Sequence, residues 1–114
     1  LMTGSELATA VAQKAKIRVI VANNNHYGTI RYHQEVHFPT RDHYATNLVN
    51  PDFAKYGESF GLKCFTIHNT EEILPTIKSA MEVDGPSLIE FKMSLELNTS
   101  TATISQLQTK QNLV

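Results

Sequence analysis

Apolar and polar positions alternate along this chain with two different periods. Leu7, Ala8, Val11 and Ala15 recur at helical spacing, and Thr3 followed three residues on by Glu6 has the form of a capping box, so a helix of about three turns is expected. Lys14 and Lys16 suit its C-terminal end. Ile17 to Ala22 then carries five apolar residues in six, which predicts a strand buried on both faces in a parallel sheet. Tyr27 to Glu35 has the polarity of a short exposed helix, and Val36 to Val49, without clear periodicity, is read as a long loop. Asn50 as N-cap and Pro51 as first residue open a further helix with Phe53, Ala54, Tyr56 and Phe60 on its apolar side, and Gly61 stops it.

Leu62 to His68 alternates as a short strand does. Asn69 or Thr70 caps the next helix, whose buried stripe is Ile73, Leu74, Ile77, Ala80 and Met81; Pro75 predicts a bend or a late start. Gly85-Pro86 turns the chain into a last strand, Ser87 to Met93. Residues 94–114 are polar and rich in Thr, Ser and Gln, and are expected to form an extended or disordered tail beyond a folded portion of residues 1–93. Helices and strands in this order predict an α/β fold: a three-layer, doubly wound, mostly parallel sheet flanked by helices.

The chemistry is concentrated where the first strand ends, at Asn23-Asn24-Asn25-His26-Tyr27-Gly28. Ligands of open α/β sheets sit beyond the carboxyl ends of the strands, and Asn and Gly tolerate the backbone conformations of a sharp exit. Neutral oxygens suit a hard cation such as Mg²⁺, which takes few protein ligands beside a substrate phosphate and water. A helix that starts at Gly28 would also present backbone N–H groups to a phosphate.

Composition narrows the rest. Ten Lys and Arg against eleven Asp and Glu, unclustered, leave no electrostatic footprint for nucleic acid. Apolar runs are too short for a membrane span and no secretion signal opens the chain, and a single cysteine, Cys64, excludes an internal disulfide, so a cytoplasmic location is expected. His33, Glu35 and His37 do not have the offsets of the His-Glu-x-x-His zinc pattern. Arg31, His33 and Glu35 are read first as solvent-facing side chains of a short helix and second as lining for a substrate, and Glu6, Glu35, Glu58, Glu71 and Glu90 as caps or solvated faces.

Several of these stretches, in order, carry a resemblance. Asn23-Asn24-Asn25-His26-Tyr27-Gly28 with its strand resembles the second half of the thiamine diphosphate motif, the asparagine pair that closes a Gly-Asp-Gly opening. Leu1 to Ala10, Tyr27 to Glu35, Asn50-Pro51-Asp52-Phe53-Ala54 and Gly85-Pro86-Ser87-Leu88-Ile89-Glu90 are similar to the C-terminal cofactor-binding domain of acetolactate-synthase-like enzymes. The resemblance implies thiamine diphosphate and Mg²⁺ as cofactors. Asn24 would give its side-chain oxygen and His26 its main-chain carbonyl to the metal, while Tyr27, Gly28 and Thr29 would contact the diphosphate. It implies a carboligase or decarboxylase acting on a pyruvate-like 2-keto acid, with no catalytic residue in this chain. The metal-binding aspartate of Gly-Asp-Gly and the activating glutamate of the pyrimidine-binding domain are not in the sequence. The chain alone is therefore expected to be incomplete and inactive, and to associate with itself or with that domain. The alternative is a non-catalytic truncated remnant or packing module. Thr40 and Ala45-Thr46-Asn47 depart from the family pattern, which has Gly at the first place and Gly-Thr-Asp at the second.

Overall fold

A computed structural model describes residues 3–38, 41–96 and 102–111. They fall into two compact units, Leu1–Asn23 with Pro51–Lys92, and Asn24–Asn50 with Met93–Val114.

The first unit is the sheet. Its strands β1 (Arg18–Asn23), β2 (Lys63–Ile67) and β3 (Ser87–Lys92) are all parallel and stand in the order β1-β3-β2. One face packs Leu7 and Val11 of helix α1 (Glu6–Ala12) and Phe53 and Tyr56 of helix α3 (Phe53–Glu58) against Val19, Val21, Cys64 and Leu88. The other face packs Ile73 and Ala80 of helix α4 (Ile73–Met81) against Phe65, Ile67, Ile89 and Phe91. Helices thus cover both faces of a parallel sheet, the three-layer doubly wound arrangement that the element order predicts. Burying side chains such as Leu88 and Ile89, each 2% exposed, stabilises by about 1.5–3 kcal/mol apiece.

Local chemistry departs from expectation in several places. Helix α1 has two turns, Ser5 as N-cap and no side-chain cap, so the Thr3–Glu6 box does not form. Its C-terminal end closes through Ala15 N–H to Ala10 C=O (2.9 Å) and Lys14 N–H to Val11 C=O (3.0 Å), with Lys14 at φ 50° where glycine is usual. Asp52, not Asn50, caps α3: its carboxylate accepts from Lys55 N–H at 3.0 Å, because Pro51 lies before the helix rather than in its first turn. That bond, above all, holds the Asp52 carboxyl below the usual carboxylate range. Gly61, at φ 93°, closes α3 as the sequence predicts.

Asn69 caps the chain ahead of α4, accepting from Glu72 N–H, and Glu72 reaches back to His68 N–H at 2.8 Å. A 3-10 turn over Thr70–Glu72 precedes the α-helix, so Pro75 falls in its first turn, where a proline is tolerated. This is the late start that Pro75 predicts. Of the expected stripe, Ile73, Ile77 and Ala80 face inward, whereas Leu74 and Met81 are more than 60% exposed. β1 also differs from expectation: Ile20 is 62% exposed and Ala22 is exposed, because among the described residues β1 pairs on one side only and no helix covers that part of the sheet.

The second unit is built on helix α2 (Gly28–His37) and helix α5 (Ile104–Gln111), which pack together. Residues 104–111 are therefore helical rather than extended or disordered, with Ile104 buried; residues 97–101 and 112–114 of the expected tail lie outside the described residues. Thr40 lies outside them as well. Helix α5 starts where Glu96 accepts from Ser105 N–H at 3.0 Å, and that bond holds the Glu96 carboxyl below the usual range. Arg31 and Glu35 of α2 are not surface residues. Each is 6% exposed, Arg31 Nε donates to Glu35 Oε1 at 2.6 Å, and Gln108 Nε2 of α5 donates to Glu35 Oε2 at 3.1 Å. An i,i+4 pair that would contribute little at a surface becomes a buried, hydrogen-bonded one.

Candidate functional site

The face of the sheet that is apolar at Val19, Val21 and Leu88 turns polar toward the strand carboxyl ends, at Asn23 and Glu90. Asn23, the last residue of β1, is 5% exposed and its Nδ2 donates to Glu90 Oε1 at 2.7 Å. Glu90 also accepts from Lys92 Nζ at 2.6 Å and is 1% exposed, so it is neither a cap nor a solvated residue as its sequence position had implied.

Past Asn23 the second unit begins with a tight polar turn. Asn24 Oδ1 accepts from His26 N–H at 3.0 Å, the side-chain mimic of a backbone turn that asparagine makes readily. His26 Nδ1 lies 3.1 Å from the Asn24 carbonyl, which can only accept, so this contact selects the Nδ1-protonated ring. Asn25 takes φ 56°, a left-handed conformation that asparagine tolerates better than most residues. Residues 46–50 hold the turn from alongside. Tyr27 N–H donates to Thr46 C=O at 2.9 Å, Leu48 N–H to Asn25 C=O at 2.8 Å, Asn50 Nδ2 to Asn25 Oδ1 at 3.3 Å, and His26 and Asn47 form an antiparallel bridge. Thr46 is 1% exposed, and its Oγ1 is buried with no hydrogen-bond partner among the described residues.

Helix α2 starts directly after this turn. Tyr27 occupies the N-cap without a side-chain cap, and the first turn contains no acidic residue, so nothing neutralises the partial positive charge of the helix N-terminus from within it. A depression of about 310 Å³ opens there, lined by His26, Tyr27, Gly28, Thr29 and Ile30. Four of the five residues expected to serve the cofactor share that depression. Asn24 does not line it, but is tied to His26 by the two contacts above.

The donor set can be tested against the cation it implies. Asn24 Oδ1 and the His26 carbonyl are neutral oxygens, the kind that suits Mg²⁺ when anionic oxygens complete the shell. Among the described residues no group of three or more His, Cys, Asp or Glu side chains comes together to hold a metal. His33 and His37 stack with ring centroids 5.6 Å apart on α2. By donor type the neutral oxygens of Asn24 and His26 would suit Mg²⁺ beside a diphosphate, and the described residues do not make a self-contained metal site.

Sequence reasoning missed Glu90, the Arg31–Glu35 pair and the segment 46–50. A signal for Glu90 was present: a carboxylate between Ile89 and Phe91, inside a strand of a parallel sheet, has no solvent to face. Arg31 and Glu35 stand at i,i+4 spacing. Nothing in the residues 46–50 announces backbone pairing to the turn.

Among known proteins, the family described as thiamine pyrophosphate enzyme, C-terminal TPP binding domain, matches residues 1–91. The chain is 31% identical over 94 residues to the acetolactate synthase large subunit of Porphyra purpurea, covering 82% of this chain and 16% of that protein. It is 33% identical over 101 residues to the 3D-(3,5/4)-trihydroxycyclohexane-1,2-dione hydrolase of Bacillus subtilis (strain 168), covering 82% and 15%. In structure it matches the Rhodococcus jostii RHA1 thiamine diphosphate-dependent 4-hydroxybenzoylformate decarboxylase with a TM-score of 0.71 at 25% identity, covering 80% of this chain and 17% of that one. The chain thus spans about a sixth of the length of the relatives it matches. A parallel sheet with helices on both faces, a polar turn at a strand end and a matching family over most of its length place this chain among the thiamine pyrophosphate enzymes, in their C-terminal TPP-binding domain.

Proposed function

We propose that this chain holds the diphosphate end of thiamine diphosphate together with Mg²⁺, as part of a carboligase or decarboxylase acting on a pyruvate-like 2-keto acid. The observation that carries the reading is the turn Asn24–Tyr27, which delivers the chain from β1 into a helix N-terminus with no side-chain cap from Tyr27 and no acid in its first turn, beside a depression lined by His26 to Ile30. Asn24 Oδ1 and the His26 carbonyl would hold the metal. Gly28 and Thr29 would meet the diphosphate through backbone or side chain at the helix N-terminus, whose dipole favours the anion, and Tyr27, whose N–H is donated to Thr46 C=O, through its exposed side chain.

When bound, thiamine diphosphate supplies a thiazolium carbanion that acts as nucleophile and electron sink. This chain's residues bind and orient it; none of them is assigned a proton-transfer role. The group that activates the thiazolium, a carboxylate that completes the metal shell, and a pyrimidine-binding domain would come from outside residues 1–93, in another part of the protein or a second subunit. Relatives described as synthase, hydrolase and decarboxylase all match this segment, so it sets the cofactor and not the product. A reducing compartment such as the cytoplasm is consistent with the half-buried, unbridged Cys64. No helix among the described residues is long and apolar enough to cross a membrane.

Calorimetric titration of thiamine diphosphate into the purified chain with Mg²⁺, repeated with Asn24→Ala, tests the reading. Saturable binding by the parent chain, weakened roughly tenfold or more by the substitution and by chelation of the metal, is the expected result. A folded chain that shows no binding would favour the alternative of a non-catalytic remnant or packing module.

A further inference from the structure

Glu90 is a buried carboxylate that the cofactor reading leaves unused. It stands opposite Val21 of β1 and Thr66 of β2, in the most enclosed strand of the sheet. One of its oxygens, Oε1, accepts both from Asn23 Nδ2 and from Lys92 Nζ. Asn23 and Lys92 are partners in the β1–β3 register, and each is a last residue of the sheet unit: Asn23 gives way to Asn24, and Lys92 to Met93. A single buried oxygen therefore holds the chain at two of the places where it leaves the sheet.

Stability alone does not explain a charge here. The same face carries Val19, Val21 and Leu88, and an apolar side chain of similar volume would avoid desolvating a carboxylate and recruiting Lys92 to offset it. What an apolar residue cannot do is fix the direction of Asn23. With its amide donated to Glu90, Asn23 has one favoured side-chain orientation, and the backbone that continues into Asn24 starts from a defined place.

We infer that Glu90 is a positioning residue: through Asn23 and Lys92 it fixes the two strand exits, and through Asn23 it sets the turn Asn24–Tyr27 from which the cofactor is held. The last step rests on the proposed cofactor reading; the clamp itself does not. It acts as an outer support acts on a metal ligand, without touching the cofactor.

The test uses the full chain, ¹⁵N-labelled, with Glu90→Leu, which removes the acceptor, and Asn23→Ala. Asn23→Ala leaves the Glu90–Lys92 pair in place and is the variant read if Glu90→Leu fails to fold. Three amides report on the turn because each is hydrogen-bonded there: His26 to Asn24 Oδ1, Tyr27 to Thr46, and Leu48 to Asn25. Ile67 and Ala80, buried in the α4 layer, serve as controls. Exchange at the three turn amides is expected to speed up roughly tenfold in both variants with the controls unchanged, and affinity for thiamine diphosphate with Mg²⁺ to fall by a similar factor. Unchanged exchange at the turn overturns the inference. So does an equal rise at Ile67 and Ala80, which would make Glu90 an ordinary contributor to stability. A turn that loosens in a chain whose parent form binds no cofactor would uphold the clamp and reject the cofactor reading.

Discussion

β1 and β3 run side by side, paired residue for residue from Arg18 with Ser87 to Asn23 with Lys92, yet burial divides them against their composition. β1 reads Arg-Val-Ile-Val-Ala-Asn and β3 reads Ser-Leu-Ile-Glu-Phe-Lys, so the more apolar strand is the more exposed one. Ile20 and Ile89 face each other in register at 62% and 2% exposure. The difference lies in position. Among the described residues, β3 is flanked by a strand on each side and covered by helices on both faces, while β1 has β3 on one side and no helix over Ile20 and Ala22. A central strand can therefore carry Ser87 and Glu90 in full burial, provided a charge there finds partners, and an edge strand can carry isoleucine in water.

The sharpest way to break this comparison is to truncate the paired isoleucines one at a time. Ile89→Ala removes a buried side chain from the α4 face and should cost roughly 2–5 kcal/mol in urea unfolding. Ile20→Ala should cost less than about 0.5 kcal/mol, as surface changes do. Equal costs would mean that the outer face of β1 is covered in solution, by a second copy or by a partner domain.

That contrast also marks how far the sequence could be read. Element order as far as β3, the parallel sheet, the role of Gly61 and the Asn69 cap are written in local patterns: periods of two and of 3.6, and residues with special backbone or capping chemistry; helix α5 is not. Burial is not local. Nothing in Ile17 to Ala22 says that the strand lies at an edge, and nothing in Leu74 or Met81 says that the α4 stripe is narrower than its apolar residues allow. Polar pairing is legible only where both partners are close in sequence. Arg31–Glu35 has the right spacing but could not be known to be buried, since α5 lies some seventy residues away, and Glu90 meets Asn23 across 67 positions. For the candidate site, the sequence located the turn between β1 and α2. It did not foresee that residues 46–50 would hold that turn through backbone bonds, because backbone bonds leave no signature in side-chain type.

A smaller effect separates the turns that lead into the two strands. β3 is approached through Gly85 at φ 136°, and β1 through Lys14 at φ 50°. A Cβ at Gly85 would meet nothing within 4 Å, so Gly85→Ala isolates backbone strain and should destabilise by about 1–2 kcal/mol. Lys14→Gly runs the other way. It relieves a left-handed lysine and should stabilise by roughly 0.5–1 kcal/mol, since glycine's extra freedom in the unfolded chain offsets part of the gain. If Lys14→Gly destabilises, the lysine side chain makes a contribution that its backbone conformation conceals. Both are measured in the same urea titrations as the isoleucine pair.

The smallest expected effect comes from the surface charges beside those same turns. Lys16, just before β1, meets Asp84, just before β3, with Nζ to Oδ1 at 2.8 Å, and both side chains are mostly in water. The hydrogen bond from Lys16, and then its charge, hold the Asp84 carboxyl below the usual carboxylate range. A lowered folded-state pKa means that the pair's contribution is present above the ordinary aspartate range and is lost as pH falls through the folded value. Thermal melts of the parent chain and Asp84→Asn should therefore differ slightly at neutral pH and low salt, with the parent higher. The gap should narrow at high salt, where exposed charges are screened, and close in acid, where both chains carry a neutral side chain at this position. A gap that survived in acid would assign the difference to the geometry of the junction rather than to its charges. Even then it would remain far below the cost of Ile89→Ala, because the two strands are held together by what β3 buries and not by the ion pair that joins their approaches.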